Sequence, residues 1–219
     1  MKKVILFTII SCSLHSISKA QISKGSIFFG GGISINDTKY NNPSGNTQGI
    51  KENVLSVTPA IGIAIKENLV AGIKLKYGHS ENVYNSSPIS LSENETTSYG
   101  GGIFLRKYLT LGKGFYVFGD GALEYTKDKT TQNSMNINAP TILSHAEAKG
   151  WNLGLGFKPG VSYAVSKKFH LEAGLPNLLS LDYGRSKSSN SGKRTTFGLS
   201  SNAGSLSSFS FGFRVLLAK

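Results

Sequence analysis

Eight charged residues stand at positions where a period of two would turn them to one side of a sheet. Lys74, Lys76, Arg106, Lys158 and Arg214 share that side with Asp120, Glu124 and Glu172. Most share that side with glycine, alanine and serine, and most have bulky apolar residues beside them in sequence. Charges drawn into a cramped interior must be paired, so the expected chemistry is a network of ion pairs that braces an interior without transport. Other chemistries find less support. Gly30-Gly31-Gly32 and Gly100-Gly101-Gly102 lack the spacing and the following helix of a phosphate-binding loop. They read as small interior residues or points of curvature. His79, His145 and His170 fall in no ligand spacing, and no G-x-S-x-G occurs. An enzyme would need a His–Ser–Glu set assembled in space, of the kind that small membrane hydrolases use. No cofactor or metal is expected.

The elements that would position these charges follow a rhythm. In a strand, successive side chains point to opposite faces, and eight stretches obey it. In the second, Leu55, Val57, Ile61, Ile63 and Ile65 oppose Ser56, Thr58, Ala60, Gly62 and Ala64. In the sixth, Trp151, Leu153, Leu155 and Phe157 oppose Asn152, Gly154, Gly156 and Lys158. Phe104 and Phe118 break the pattern by falling on the small-residue side. The gaps also alternate. Lys66-Glu67-Asn68, Thr110 to Gly114 and Ser166-Lys167-Lys168 are tight, whereas the gaps near 36–49, 80–96, 127–144 and 186–203 are long and polar, and read as loops. Even strand number with short turns at one end and long loops at the other is the plan of an outer-membrane β-barrel.

Aromatic residues sort by end. Tyr77, Tyr99, Tyr125, Trp151 and Tyr183 lie on the bulky face near the long gaps, and Phe115, Tyr163 and Phe169 on that face near the tight ones. Two such rows mark two membrane interfaces. Pro59, Pro159 and Pro176 fall inside strand stretches and predict bulges or bends.

Residues 1–20 read as a secretory signal peptide, leaving a barrel domain over 21–219. Lys2 and Lys3 precede the apolar run Val4–Ile10, and Ser18-Lys19-Ala20 supplies a cleavage site. Ile9-Ile10-Ser11-Cys12 offers a rival site at which Cys12, the single cysteine, would be lipidated. The net charge is +12, of which the three lysines of the leader carry three. An exported chain of this sign meets anionic lipid rather than nucleic acid. No apolar run reaches the length of a membrane helix.

Three passages, Ser56–Gly62 with Lys66–Gly72, Gly102–Tyr108 with Phe115–Gly119, and Pro159–Tyr163 with Phe169–Glu172, together with the closing Phe209-Ser-Phe-Gly-Phe213, resemble the small outer-membrane β-barrel domain family, related in architecture to the OmpA and OmpX barrels. The resemblance implies an all-β, eight-stranded antiparallel up-and-down transmembrane barrel in the outer membrane of a Gram-negative cell. It implies delivery by the barrel-assembly machinery; a monomeric state is expected. It carries no common catalytic residues. The ending Val215-Leu-Leu-Ala-Lys219 departs from the aromatic terminus frequent in such chains. The expected role is structural or surface-binding, with outer-membrane lipids and lipopolysaccharide as neighbours and an extracellular ligand at the long loops. In particular, Arg185, Lys187, Lys193 and Arg194 of the last gap would suit lipopolysaccharide phosphates. A lipid-modifying barrel enzyme, a narrow porin-like channel and a soluble lipocalin-like carrier are the alternatives. The carrier would bury its bulky face inside.

Overall fold

A computed structural model describes residues 22–40, 50–87, 90–136, 142–175, 177–189, 192–201 and 210–217. The leader, Cys12 and Pro176 lie outside these residues. Ten strands form one antiparallel sheet: β1 (Ile27–Tyr40), β2 (Ile50–Lys66), β3 (Leu69–Ser87), β4 (Ser90–Gly112), β5 (Phe115–Asn136), β6 (Ile142–Ala164), β7 (Phe169–Gly174), β8 (Leu179–Ser188), β9 (Gly192–Ser201) and β10 (Ser210–Leu217). Strands β1 to β6 pair in sequence. β6 then pairs with β7, β7 with β10, and β10 with β1, so the sheet closes on itself. β8 pairs with β6 on one side and β9 on the other.

The expectation of long loops between eight strand stretches is revised in its loops. Ten strands are described, and the polar gaps are largely strand. β3 runs to Ser87 and β4 starts at Ser90, with an unbroken ladder from Val83↔Glu93 down to Tyr77↔Tyr99. β8 and β9 occupy most of the gap near 186–203. Polar composition had suggested loops, but the backbone ladder is indifferent to side-chain polarity, and threonine and tyrosine suit a pleated surface.

The tight turns follow from local chemistry. Asn68 takes φ 57°, the left-handed region that asparagine tolerates, and the register shifts between Ala64 and Lys66 as such a turn requires. Gly112, Lys113 and Gly114 all have positive φ in the β4–β5 turn. At Ser166 the hydroxyl accepts from the amides of Lys168 and Phe169 at 3.3 and 3.1 Å.

Two of the strand prolines sit at breaks in a ladder rather than at bulges. Pro59 pairs with Gly31 of β1, while the β2–β3 ladder skips Thr58 and Pro59. Pro159 pairs with Gly119 of β5 and lies where the other neighbour of β6 changes from β8 to β7. A missing N–H costs least where no partner carbonyl faces it.

The sheet is apolar outward. Thirty-five large hydrophobic residues of the described set are exposed on it, against eleven hydrophobics buried within. A carrier with its bulky face inside is the opposite arrangement. At some inward glycines adjacent strands approach too closely for a side chain: a Cβ on Gly72 would sit 2.2 Å from the Ile61 carbonyl oxygen, and one on Gly102 2.1 Å from that of Leu123. The buried apolar cluster gathers at the tight-turn end, where Phe28, Val70, Phe104, Tyr108, Tyr116, Phe118 and Leu216 meet. Phe104 and Phe118, the two exceptions to alternation, are thus the filling of one end of the ring. Ile22 seals that end: its amide donates to Asn68 Oδ1 at 2.9 Å, and its carbonyl accepts from the Asn68 amide at 3.0 Å.

Candidate functional site: a charged interior above an aromatic floor

All eight charged residues singled out from the alternation line one interior cavity of about 300 Å³. Its floor is a four-residue ion network. Arg106 on β4 donates through Nε and Nη2 to Asp120 Oδ2 on β5, at 3.0 and 2.5 Å. These two residues are direct partners across the β4–β5 ladder. The remaining arm crosses the interior: Arg106 Nη1 donates to Glu172 Oε2 on β7 at 2.8 Å. Arg214 on β10 reaches the same oxygen at 3.2 Å. Tyr108 donates its hydroxyl to Glu172 Oε1 at 2.9 Å and accepts from Arg106 Nη1 at 3.3 Å.

Aromatic faces complete the arrangement. The Arg106 guanidinium lies 4.3 Å from the Phe118 ring centroid, and that of Arg214 lies 4.6 Å from Phe28. Planar, weakly hydrated guanidinium groups suit such stacking where an ammonium would not. All four charged side chains are no more than 7% exposed. Charge-assisted bonds of this kind are strong and directional, and removing one partner strands the others in a dry interior.

Above the floor the network loosens. Lys74 and Glu124 pair at 2.6 Å and are partly exposed. Lys158 donates to Ser210 Oγ at 2.6 Å and lies across the ladder from Asp120. Lys76 lines the wall beyond them. Asp120 Oδ1 and Arg214 Nε are buried without a protein partner among the described residues. Both belong to side chains on the cavity wall, where water has room to serve them.

The histidines do not converge. His79 Nδ1 lies 3.4 Å from Thr97 Oγ1, and His145 Nδ1 lies 2.8 Å from Asn133 Oδ1. His170 is buried, 3.4 Å from Ser162 Oγ and stacked on Tyr116. This is the nearest approach to a His–Ser–Glu set. Yet Ser162 is 2% exposed, and Glu172 is engaged by Arg106, Tyr108 and Arg214 rather than by the imidazole. No group of three or more metal-ligating side chains occurs among the described residues.

Reasoning from the sequence placed the charges but missed the aromatic floor. Phe28, Tyr108 and Tyr116 carry a visible signal: Phe28-Phe29, Tyr108-Leu109 and Phe115-Tyr116 are adjacent bulky pairs, and an adjacent pair must fill both faces of a strand.

The outer face carries the two aromatic rows. Trp151 lies between Tyr125 and Tyr183, with centroids 6.0 and 5.6 Å away. At the tight-turn end Phe115 meets Tyr163 at 4.6 Å, and Phe169 meets Phe213 at 6.2 Å. Beyond the upper row, Lys129 and Glu147 pair at 3.2 Å, and this bond holds the Glu147 carboxyl below its ordinary range.

No protein-family model matches the chain. No curated protein matches it either. Among solved structures it is similar to the translocator domain of the autotransporter NalP from Neisseria meningitidis, with 13% sequence identity over 98% of this chain and 93% of that one, and a TM-score of 0.38. So little shared sequence transfers no residue's role from one chain to the other.

Proposed function

We propose that this chain is an integral outer-membrane β-barrel protein of a Gram-negative cell, exported by its leader and inserted by the barrel-assembly machinery as a monomer. Its strand count is read as eight: β8 and β7 follow one another along β6 as one broken strand, and β9 and β10 make the last. That count suits the small OmpA- and OmpX-like barrels. The role is structural or surface-binding, with the long polar hairpins as the presenting elements. No enzymatic role is assigned: the Ser162–His170 contact seen among the described residues is buried, and its nearby carboxylate is committed to arginines.

The observation that carries this reading is the apolar outer face. Exposed residues such as Ile73, Leu75, Ile103, Leu105, Leu155 and Leu171 form a continuous band between two aromatic rows. Soluble proteins rarely expose a contiguous apolar area beyond a few hundred Å². Within hydrocarbon, a closed sheet satisfies every backbone group. The test is purification with and without detergent, followed by electrophoresis with and without heating. The expected outcome is a requirement for detergent and an unheated band that migrates apart from the heated one. A protein that stays dispersed without detergent and gives one unchanged band overturns the reading.

A further inference from the structure

The four strands β5, β6, β8 and β9 share a row of cations that their own sheet does not neutralise. Lys129 pairs in register with Lys149, Lys149 with Lys187, and Lys187 with Lys193. All four are exposed on the outer face. One step nearer the apolar band, Lys127 and Arg185 flank Trp151 in a second row. Like charges directly opposite one another on a sheet repel, and four in a line are tolerated only where something supplies counter-charge. Glu147 pairs with Lys129 and also feels the charge of Lys149, one carboxylate against four cations.

Position and asymmetry say what supplies it. Lys127, Lys149 and Arg185 each stand two residues beyond an aromatic of the upper row, Tyr125, Trp151 and Tyr183 respectively. Two residues of strand advance about 7 Å, the step from an interfacial ring to the level of lipid phosphates. Long basic side chains lay their stems over apolar neighbours and keep the charge at that level. The opposite wall is mixed in sign: Lys39 pairs with Lys51 there, beside a row that is acidic. In that row Asp37 pairs with Asn53, Asn53 with Glu81, and Glu81 with Glu95. A molecule that merely needed solubility would have no reason to gather its cations on one side.

We propose that the outer face of β5, β6, β8 and β9, beyond Tyr125, Trp151 and Tyr183, is a docking surface for the phosphate-bearing head groups of anionic membrane lipid. This rests on the proposed membrane location and deepens it. The four basic residues of the last polar gap, Arg185, Lys187, Lys193 and Arg194, are joined here by Lys127, Lys129 and Lys149 from neighbouring strands; Arg194 stands in register with Ser186 rather than in the lysine row, and shares a surface pocket with Lys149, Arg185, Lys187 and Lys193.

Trp151 is the single tryptophan of the chain, so its fluorescence reports on this surface alone. The full chain is folded into phosphatidylcholine vesicles holding a small fraction of acyl-brominated lipid, either phosphatidylglycerol or phosphatidylcholine. Brominated phosphatidylglycerol is expected to quench Trp151 more strongly than the same fraction of brominated phosphatidylcholine. The excess should vanish in about 0.5 M salt, where the Debye length falls below roughly 5 Å. Replacing Lys129, Lys149, Lys187 and Lys193 together by Gln should weaken the preference roughly tenfold or more, while Lys39→Gln with Lys51→Gln on the opposite wall leaves it intact. A fourfold Lys→Arg variant should keep it. Equal quenching by the two lipids in the unaltered protein, or an excess that ignores salt, overturns the proposal even if the Gln variant fails to fold. Quenching by neither lipid means that Trp151 meets no acyl chains; it overturns the membrane location first and this surface with it.

Discussion

Arg106 is the residue on which the interior turns. It faces Asp120 and Glu172, shares Glu172 with Arg214, and lies against Phe118. Replacing it by alanine leaves two carboxylates buried without a guanidinium between them. Arg106→Ala is expected to destabilise the folded state by about 3–5 kcal/mol, read as a lower urea midpoint in detergent micelles. Arg106→Lys should recover only part of this, since one ammonium cannot serve both acids in the same plane. The eight inward charges were legible because period-two alternation assigns a face without any knowledge of packing. Which acid meets which base was not legible. Arg106 and Asp120 are ladder neighbours, but Glu172 and Arg214 arrive from strands far along the chain, and their approach depends on how the ring staggers as it closes.

At the scale of elements, glycine on the inward face sets how closely strands approach. Gly102→Ala places a methyl group against the Leu123 carbonyl, whereas Gly198→Ala on β9 meets nothing within 4 Å. The first substitution is expected to lower the unfolding midpoint clearly, by about 1–3 kcal/mol of overpacking. The second should stay within about 0.5 kcal/mol of the unaltered protein. Strand existence was legible from the apolar alternation, and the tight turns from Asn, Gly and Ser. Strand length was not. The outer halves of β3, β4, β5 and β6 are polar, so hydropathy reads them as loops, yet their ladders continue to Ser87↔Ser90 and to Met135↔Ile142. β4 has 23 residues, about twice what a membrane crossing needs. Much of that strand therefore stands clear of any bilayer within a stiff wall of β3, β4, β5 and β6, better suited to holding a ligand at a fixed height than a slack loop would be.

At the scale of the whole molecule, the two faces answer to different solvents. Leu155 stands in mid-band, flanked by Leu123 and Leu181 in register. Leu155→Arg is expected to cost about 2–4 kcal/mol for the protein folded in a bilayer, and the same change should cost a comparable amount at Leu199 of β9, which stands in the same row through Leu181. Urea titration in vesicles checks both. The interior is closed by its floor, so a planar-bilayer recording of the unaltered protein should show no steady open level. Arg106→Ala combined with Glu172→Ala removes the bridge across the ring, and brief openings should then appear if the folded state survives.

The ladder between β1 and β10 joins Ile27 to Leu217, residues at opposite ends of the described chain. Its consequence is temporal. A helical protein can lock its first elements while later ones are still being made, because its contacts are local. Here β1 has a single early neighbour, β2, and its other edge stays bare until the last strand arrives. Contacts so distant in sequence close late, after most of the loop entropy has been lost. Until then the chain carries an exposed apolar face and an unpaired edge, both of which invite association with other chains. A truncation before Ser210 should thus yield no partly active barrel, only a chain that its escorts must keep from its own kind.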